Sequence, residues 1–200
     1  SNIYEPIMIP INELLTKEEC KVTEISCGCK HTLFLTSNGD VYSTGDNKYG
    51  QLGNHNLSFI SIKVCNDNNL EQEFKFYRVY NIEGIERIAS GWFHNFAVTK
   101  DHKIYGWGRS DYGQLGVNSE LESFIMFPKK ISHPSFENQR IAELSVGSEH
   151  SILLLENNQC FVWGWNEHGQ LGLGDIDDRS TPTELMIHFD NIHYLNDETS

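Results

Sequence analysis

Three stretches of this 200-residue chain align with one another without a gap, and that self-similarity limits the possible folds more than any other feature. They run from Ser26 to Gly53 (SCGCKHTLFLTSNGDVYSTGDNKYGQLG), from Ala89 to Gly116 (ASGWFHNFAVTKDHKIYGWGRSDYGQLG) and from Ser145 to Gly172 (SVGSEHSILLLENNQCFVWGWNEHGQLG). In each, a glycine stands three positions before a histidine: Gly28 and His31, Gly91 and His94, Gly147 and His150. Another glycine follows the histidine by 14 positions, at Gly45, Gly108 and Gly164. Each stretch closes with Gly-Gln-Leu-Gly, ending at Gly53, Gly116 and Gly172, so the period is 63 and then 56 residues.

The patterning inside a copy predicts strands. Each histidine leads into an apolar run (Leu33 to Leu35, Phe96 to Val98, Ile152 to Leu155), then a turn such as Ser37-Asn38-Gly39-Asp40. A second run follows (Val41-Tyr42, Ile104-Tyr105, Phe161 to Trp163) and ends at glycine, which makes a hairpin. A short run precedes each Gly-x-x-His (Val22 to Ile25, Ile85 to Ile88, Ile141 to Leu144), and another lies near proline after the closing motif (Pro128 to Ile131, Pro182 to Leu185). That amounts to about four strands per copy. A four-stranded sheet cannot bury both faces alone, and stacking such sheets radially around an axis buries them, which is a β-propeller. Crowding near the axis and at blade corners suits glycine. A glycine-rich sandwich is the alternative, and a gapless threefold repeat disfavours it.

Gly-x-x-His, the apolar strand, the turn, Tyr-x-Trp-Gly and Gly-Gln-Leu-Gly together resemble the repeat of the regulator of chromosome condensation family, from Pro6 to about Leu185. The resemblance implies an all-β fold, a β-propeller with three to four blades present across residues 1–200 as one partial propeller, its repeat cores at 26–53, 89–116 and 145–172. Members of the family usually close seven blades. The chain is therefore expected to be a fragment of a seven-bladed propeller, with a self-associating partial propeller as the other reading; a strand-like start (Glu5 to Ile9) and the beginning of a fourth unit after Pro182 fit either. A narrower likeness rests on Gly147-Ser148-Glu149-His150 with Trp163 to Gly169, and on Asn95-Phe96 with Tyr105 to Gly108. These stretches are similar to the fungal killer-toxin-insensitivity propeller. That likeness implies a small zinc protein as partner and a role in Elongator-dependent tRNA modification and diphthamide synthesis.

Charge and cysteine content bound the setting. The chain carries 15 basic against 28 acidic residues, a formal net charge of −13, which repels phosphate backbones and makes direct nucleic-acid binding unexpected. A basic protein partner, or a local basic patch, remains compatible. No apolar stretch has the roughly 18 residues of a membrane span, and no signal peptide opens the chain, so no membrane association is expected. Cys20, Cys27, Cys29, Cys65 and Cys160 form an odd set without framework spacing, which suits reduced thiols in the cytoplasm or nucleus. The site Asn56-Leu57-Ser58 then reads as a chance glycan motif.

Catalytic chemistry finds little support. The three histidines sit one per copy, and the repeat accounts for them as residues that hydrogen-bond backbone and lock a turn. Cys27-x-Cys29 has no second pair to complete a zinc site, and neither Glu149-His150 nor Glu167-His168 forms His-Glu-x-x-His. There is no phosphate loop and no nucleophile elbow. No catalytic residue, metal or cofactor is expected.

The variable positions carry the functional signal. Inside Gly-x-x-His the pair changes from Cys29-Lys30 to Trp92-Phe93 to Ser148-Glu149, and the residue after the second glycine changes from Asp46 to Arg109 to Trp165. Turns at one rim would gather Lys30, Asp46, Trp92, Phe93, Arg109, Glu149 and Trp165 into a partner-binding face, since Trp and Arg concentrate binding energy; the alternative packs Trp92, Phe93 and Trp165 between blades. The segment from Cys65 to Tyr80 accounts for the longer first period. A wedge inserted in the family's nuclear exchange factor engages its GTPase, but here a surface loop without function is the expectation. The leading expectation is a non-catalytic adaptor, with guanine-nucleotide exchange on a small GTPase as its sharpest form. The competing one is the tRNA- and diphthamide-linked role with a zinc protein.

Overall fold

A computed structural model describes residues 20–54, 59–65, 71–117 and 122–186, and these form strands and turns with no helix among them. The expected opening strand, Glu5 to Ile9, and the segment beyond residue 186 lie outside the described residues. Unit one contains β1 (Val22–Cys27), β2 (His31–Thr36), β3 (Val41–Gly45), β4 (Ile60–Cys65) and β5 (Glu71–Arg78) in the order β1-β2-β3-β5-β4. Unit two orders β6 (Ile85–Ser90), β7 (His94–Thr99), β8 (Ile104–Arg109) and β9 (Phe124–Ile131) in sequence. Unit three does the same with β10 (Ile141–Val146), β11 (His150–Leu155), β12 (Cys160–Gly164) and β13 (Arg179–Glu184). These are three blades of a propeller, all antiparallel.

The recurring spacing has a structural meaning. Each histidine pairs across the hairpin with the glycine that follows it: His31 with Gly45, His94 with Gly108, His150 with Gly164. Those glycines have φ of 112°, 103° and 106°. A methyl group there would lie 2.3, 2.4 and 2.5 Å from the carbonyl oxygens of Lys30, Phe93 and Glu149, so the close return of the chain excludes a side chain.

Alternation along the strands gives every sheet a front, facing the next unit, and a back. The front residues Leu33, Leu35 and Val41 of unit one pack on Ala97 and Trp107 from the back of unit two. Phe96, Val98 and Ile104 from the front of unit two pack on Leu153, Phe161 and Trp163. Trp107 and Trp163 are wholly buried, so their indole N–H groups must find acceptors. They donate to the carbonyls of Gln51 (3.1 Å) and Gln114 (2.9 Å), in the Gly-Gln-Leu-Gly of the unit before. The closing glycine makes room, since a methyl on Gly53 or Gly116 would come within 2.9 or 3.0 Å of the Nε1 of that indole.

The histidines correct an expectation. His31 Nε2–H donates to Asn95 Oδ1 of the next unit (2.6 Å), not to backbone, and among the described residues neither ring nitrogen of fully buried His94 has a hydrogen-bond partner. Their main role is packing. The Cε1 of His31, His94 or His150 would lie 2.1 to 2.2 Å from a methyl on Gly28, Gly91 or Gly147, so each ring fills the space over the glycine three residues before it. Among the described residues no group of three His, Cys, Asp or Glu side chains is placed to hold a metal.

Cys65 to Tyr80 is also corrected, from surface loop to sheet, with 66–70 outside the described residues. β5 takes the outer-strand place that β9 and β13 hold in the other units, pairing Tyr42 with Arg78 and Ser43 with Tyr77 on β3. Phe74 and Phe76 alternate with Glu73 and Lys75, a period-two pattern that buries one face of the β4–β5 hairpin. Phe76 and Ile62 cover Phe34 on the back of sheet one, with the Phe34 and Phe76 rings 5.6 Å apart.

Two outcomes follow for stability. Trp107→Ala should cost about 3–5 kcal/mol in urea unfolding, as large core truncations do, whereas Trp92→Ala, whose ring is 54% exposed, should stay within about 0.5 kcal/mol. Burial lowers the pKa of all three histidines, that of His94 to about 3, so they are neutral in the fold. An unfolded histidine takes up its proton near pH 6.5. The unfolded state thus binds more protons, and stability present above about pH 6.5 should be lost as the pH falls towards 3. His94→Ala should lower Tm at pH 7 and flatten that acid slope; an unchanged Tm and slope would refute the packing role.

Candidate partner-binding rim

The β1–β2 turn and the loop after β3 lie at the same end of their sheet, as do their counterparts in the other units. Short backbone bonds tie them within each unit: the amides of Asp46, Arg109 and Trp165 donate to the carbonyls of Lys30, Phe93 and Glu149 at 2.8, 2.9 and 2.9 Å. A second set crosses between units, with Cys29 N–H donating to Trp92 O (3.0 Å) and Trp92 N–H to Ser148 O (2.9 Å). All seven candidate positions therefore stand on one continuous rim.

Their exposure differs. Lys30 and Asp46 are exposed, and Trp92 projects with 54% of its surface free. Phe93 and Trp165 are half-buried against rings of the loop ahead of Gly-Gln-Leu-Gly. Phe93 meets Tyr49 of unit one at 5.2 Å, and Trp165 meets Tyr112 of unit two at 6.1 Å and His168 at 5.0 Å. Tyr49, Tyr112 and His168 were missed by the sequence reading, although they form one column of the repeat, two residues before each Gln. Lys48 adds a cation 4.9 Å from the Tyr49 ring centroid.

Arg109 and Glu149 are held by the protein itself. Glu149 is 4% exposed, and its carboxylate accepts from Arg109 Nη1 (2.8 Å) and Gln114 Nε2 (2.6 Å). Arg109 also donates to Asp111 Oδ2 through Nε (3.0 Å) and Nη2 (2.8 Å), and its guanidinium lies 5.4 Å from the Tyr49 ring and 4.9 Å from Tyr112. One side chain thus joins all three units. Burial raises the Glu149 pKa, and the Arg109 charge and the Gln114 bond pull it back down. The glutamine side chains have a local task as well: Gln51 Oε1 accepts from Tyr49 N–H (2.7 Å), Gln114 Oε1 from Tyr112 N–H (2.9 Å) and Gln170 Oε1 from His168 N–H (3.0 Å).

Radially arranged sheets of four or five strands, locked by indole-to-carbonyl bonds and presenting one aromatic and charged rim, define a propeller of the repeat-built class. The chain belongs to the regulator of chromosome condensation (RCC1) repeat family: family models of that repeat match residues 22–51, 85–114 and 141–170, and residues 101–154 and 157–192. It is similar to the ultraviolet-B receptor UVR8 of Arabidopsis thaliana, 33% identical over 162 residues, which are 81% of this chain and 33% of the receptor. It is 30% identical over 193 residues to the secretion-regulating guanine nucleotide exchange factor of Mus musculus, 86% of this chain and 39% of that protein. Among solved structures, yeast RCC1 (Prp20) bound to Kap60 superposes with a TM-score of 0.67 and 26% identity, over 85% of this chain and 38% of that one. The chain thus spans between about a sixth and two fifths of the length of the curated relatives it matches. A receptor and an exchange factor share this segment, so what they hold in common is the scaffold.

The Arg109 clasp is open to a double-mutant test. Arg109→Leu strands the buried Glu149 carboxylate and should cost on the order of 2–3 kcal/mol, below the fully buried range because the guanidinium is partly solvated. Adding Glu149→Gln should recover much of that loss in urea unfolding; additive losses would show that the pair is not coupled.

Proposed function

We propose that this chain is a non-catalytic protein-binding scaffold that engages its partner through the rim, and that the partner is a small GTPase whose nucleotide release it speeds. The observation that carries this reading is Trp92. Its indole is more than half exposed, yet its own amide and carbonyl are bound to the units on either side. A large ring presented on fixed backbone contributes binding energy at little entropic cost. On the same rim the ring pairs Phe93–Tyr49 and Trp165–Tyr112 offer an apolar centre, with Lys30, Lys48, Asp46 and Glu167 as a polar border. The similarity to a guanine nucleotide exchange factor supports the finer part of the reading. Exchange of this kind works by distorting the nucleotide site, so the rim supplies contacts and transfers no proton. The formal charge of −13 favours a partner with a basic surface, and the odd cysteine count favours a reducing compartment, the cytoplasm or nucleus.

Affinity purification of the tagged full-length protein from its own cells, with mass spectrometry of what it holds, tests the reading. A stoichiometric small GTPase is the expected result, followed by faster nucleotide release in a purified assay. Trp92→Ala with Trp165→Ala should weaken binding by about 30-fold, the effect of about 2 kcal/mol, and leave the circular dichroism spectrum unchanged. Recovery of a small zinc protein with Elongator or diphthamide components would replace the GTPase reading. Loss of the fold in the double variant would make these rings core.

A further inference from the structure

The contact between units one and two and the contact between units two and three share a frame but differ at a buried position beside the histidine. In the first, Gln51 O accepts from Trp107 Nε1 (3.1 Å) and from Asn95 Nδ2 (2.9 Å). In the second, Gln114 O accepts from Trp163 Nε1 (2.9 Å) and from Ser151 Oγ (3.2 Å). Asn95 and Ser151 hold the same place, next to the histidine of their unit and opposite Trp107 or Trp163 across the hairpin. Both are wholly buried.

The two side chains differ in how many groups they can link. Asn95 has two polar ends: Nδ2 donates to Gln51 O, and Oδ1 accepts from His31 Nε2–H of the unit before (2.6 Å). One amide therefore ties both the carbonyl and the histidine of unit one. Ser151 ends at Oγ, whose single hydrogen is given to Gln114 O. It has no second polar atom to offer His94, and both ring nitrogens of His94 lack a protein partner among the described residues.

His94 nevertheless lies as His31 does. His31 brings Cε1 and Nδ1 to 2.1 and 2.5 Å from where a methyl on Gly28 would be, and His94 brings the same atoms to 2.1 and 2.6 Å from that place on Gly91. With the rings in one pose, Nε2 of His94 is directed as Nε2 of His31 is, towards residue 151 of the next unit. The ring is fully buried, and burial holds it neutral, so it carries one N–H and one bare nitrogen. An N–H taken out of water and left without an acceptor is costly, and such groups are met by protein or by ordered water.

We propose that the second contact holds an internal water site: a water accepts from His94 Nε2–H and donates to the free lone pair of Ser151 Oγ, standing where the Asn95 carbonyl group stands in the first. Serine is the smaller side chain, and the space between its hydroxyl and the ring is lined by the two polar partners that a buried water needs at the least. The Phe96 ring, perpendicular to the imidazole at 5.6 Å, is the competing acceptor for that N–H. The proposal stands apart from the GTPase reading, since it concerns the interior between units and leaves the rim as it is.

The test is NMR of the full chain with its histidines labelled by nitrogen-15. The His94 ring should show the Nε2–H tautomer, slow exchange of that proton, and a cross-relaxation peak from it to a long-lived water. Ser151→Asn should remove the water peak, keep the tautomer, and raise Tm by about 2–4 °C, the shift expected in a chain of this size from replacing one ordered water by a direct bond. Asn95→Ser, made separately, should produce a water peak at His31 and lower Tm. A His94 N–H without a water peak in the unaltered chain overturns the site and gives the proton to Phe96. An Nδ1–H tautomer overturns it too, as does a water peak that persists in Ser151→Asn. Loss of the peak with a lower Tm in that variant would show that the two places are not equivalent, which removes the ground for the proposal. The measurement on the unaltered chain needs no variant to fold.

Discussion

The bond from a buried indole to the glutamine carbonyl of the preceding unit is the contact on which the remaining architecture depends. An indole N–H taken out of water needs an acceptor, and Trp107 and Trp163 find theirs in Gln51 O and Gln114 O. To reach that carbonyl the ring must lie against the chain, which requires glycine at 53 and 116. Once the ring is seated, the register of one sheet on the next is set to within a residue. Leu33 and Leu35 then face Ala97, and Phe96 and Val98 face Leu153. The hydrophobic effect supplies most of the stabilisation here, but it is non-directional; the indole and the glycines give it direction.

The rim inherits its rigidity from that stacking. Its turns are held by bonds within a unit and by the Cys29–Trp92–Ser148 backbone series between units, so a side chain projecting from a turn has little backbone freedom to lose on binding. The charges divide by burial. Arg109 and Glu149 are consumed in joining units, with Asp111, Gln114 and two tyrosine rings completing their coordination. Trp92 and Lys30 face water, and Asp46, also exposed, accepts from Gln51 Nε2 (3.1 Å). The candidate binding face therefore shares its rim with a clasp of charged and aromatic side chains.

The repeat made the blades legible. Every strand read from the runs beside Gly-x-x-His and Gly-Gln-Leu-Gly is present, because period-two burial leaves its mark on each strand separately. β5 was not legible as a blade strand, since its unit is longer and its partner β3 is reached only after the β4 excursion. The histidines were seen as structural but given the wrong bond, because the ring that fills the space over Gly91 is defined by a close approach in three dimensions. The alignment gathered seven positions that the structure places on one rim, and Tyr49, Tyr112 and His168 could have joined them, being a repeat column of their own.

By itself the sequence determined the unit, its strands, its glycine positions and the family, all of which are local patterns that recur at fixed spacing. Only the tertiary structure decided which rim residues are spent and which are free, because Arg109 meets Glu149 across 40 positions of sequence and Tyr49 meets Phe93 across a unit boundary. It also decided that the β4–β5 hairpin folds back to cover Phe34 on the back of sheet one. Spacing along the chain records what each unit must contain; burial and hydrogen bonding between units depend on what lies opposite, and that is a property of the packed fold alone.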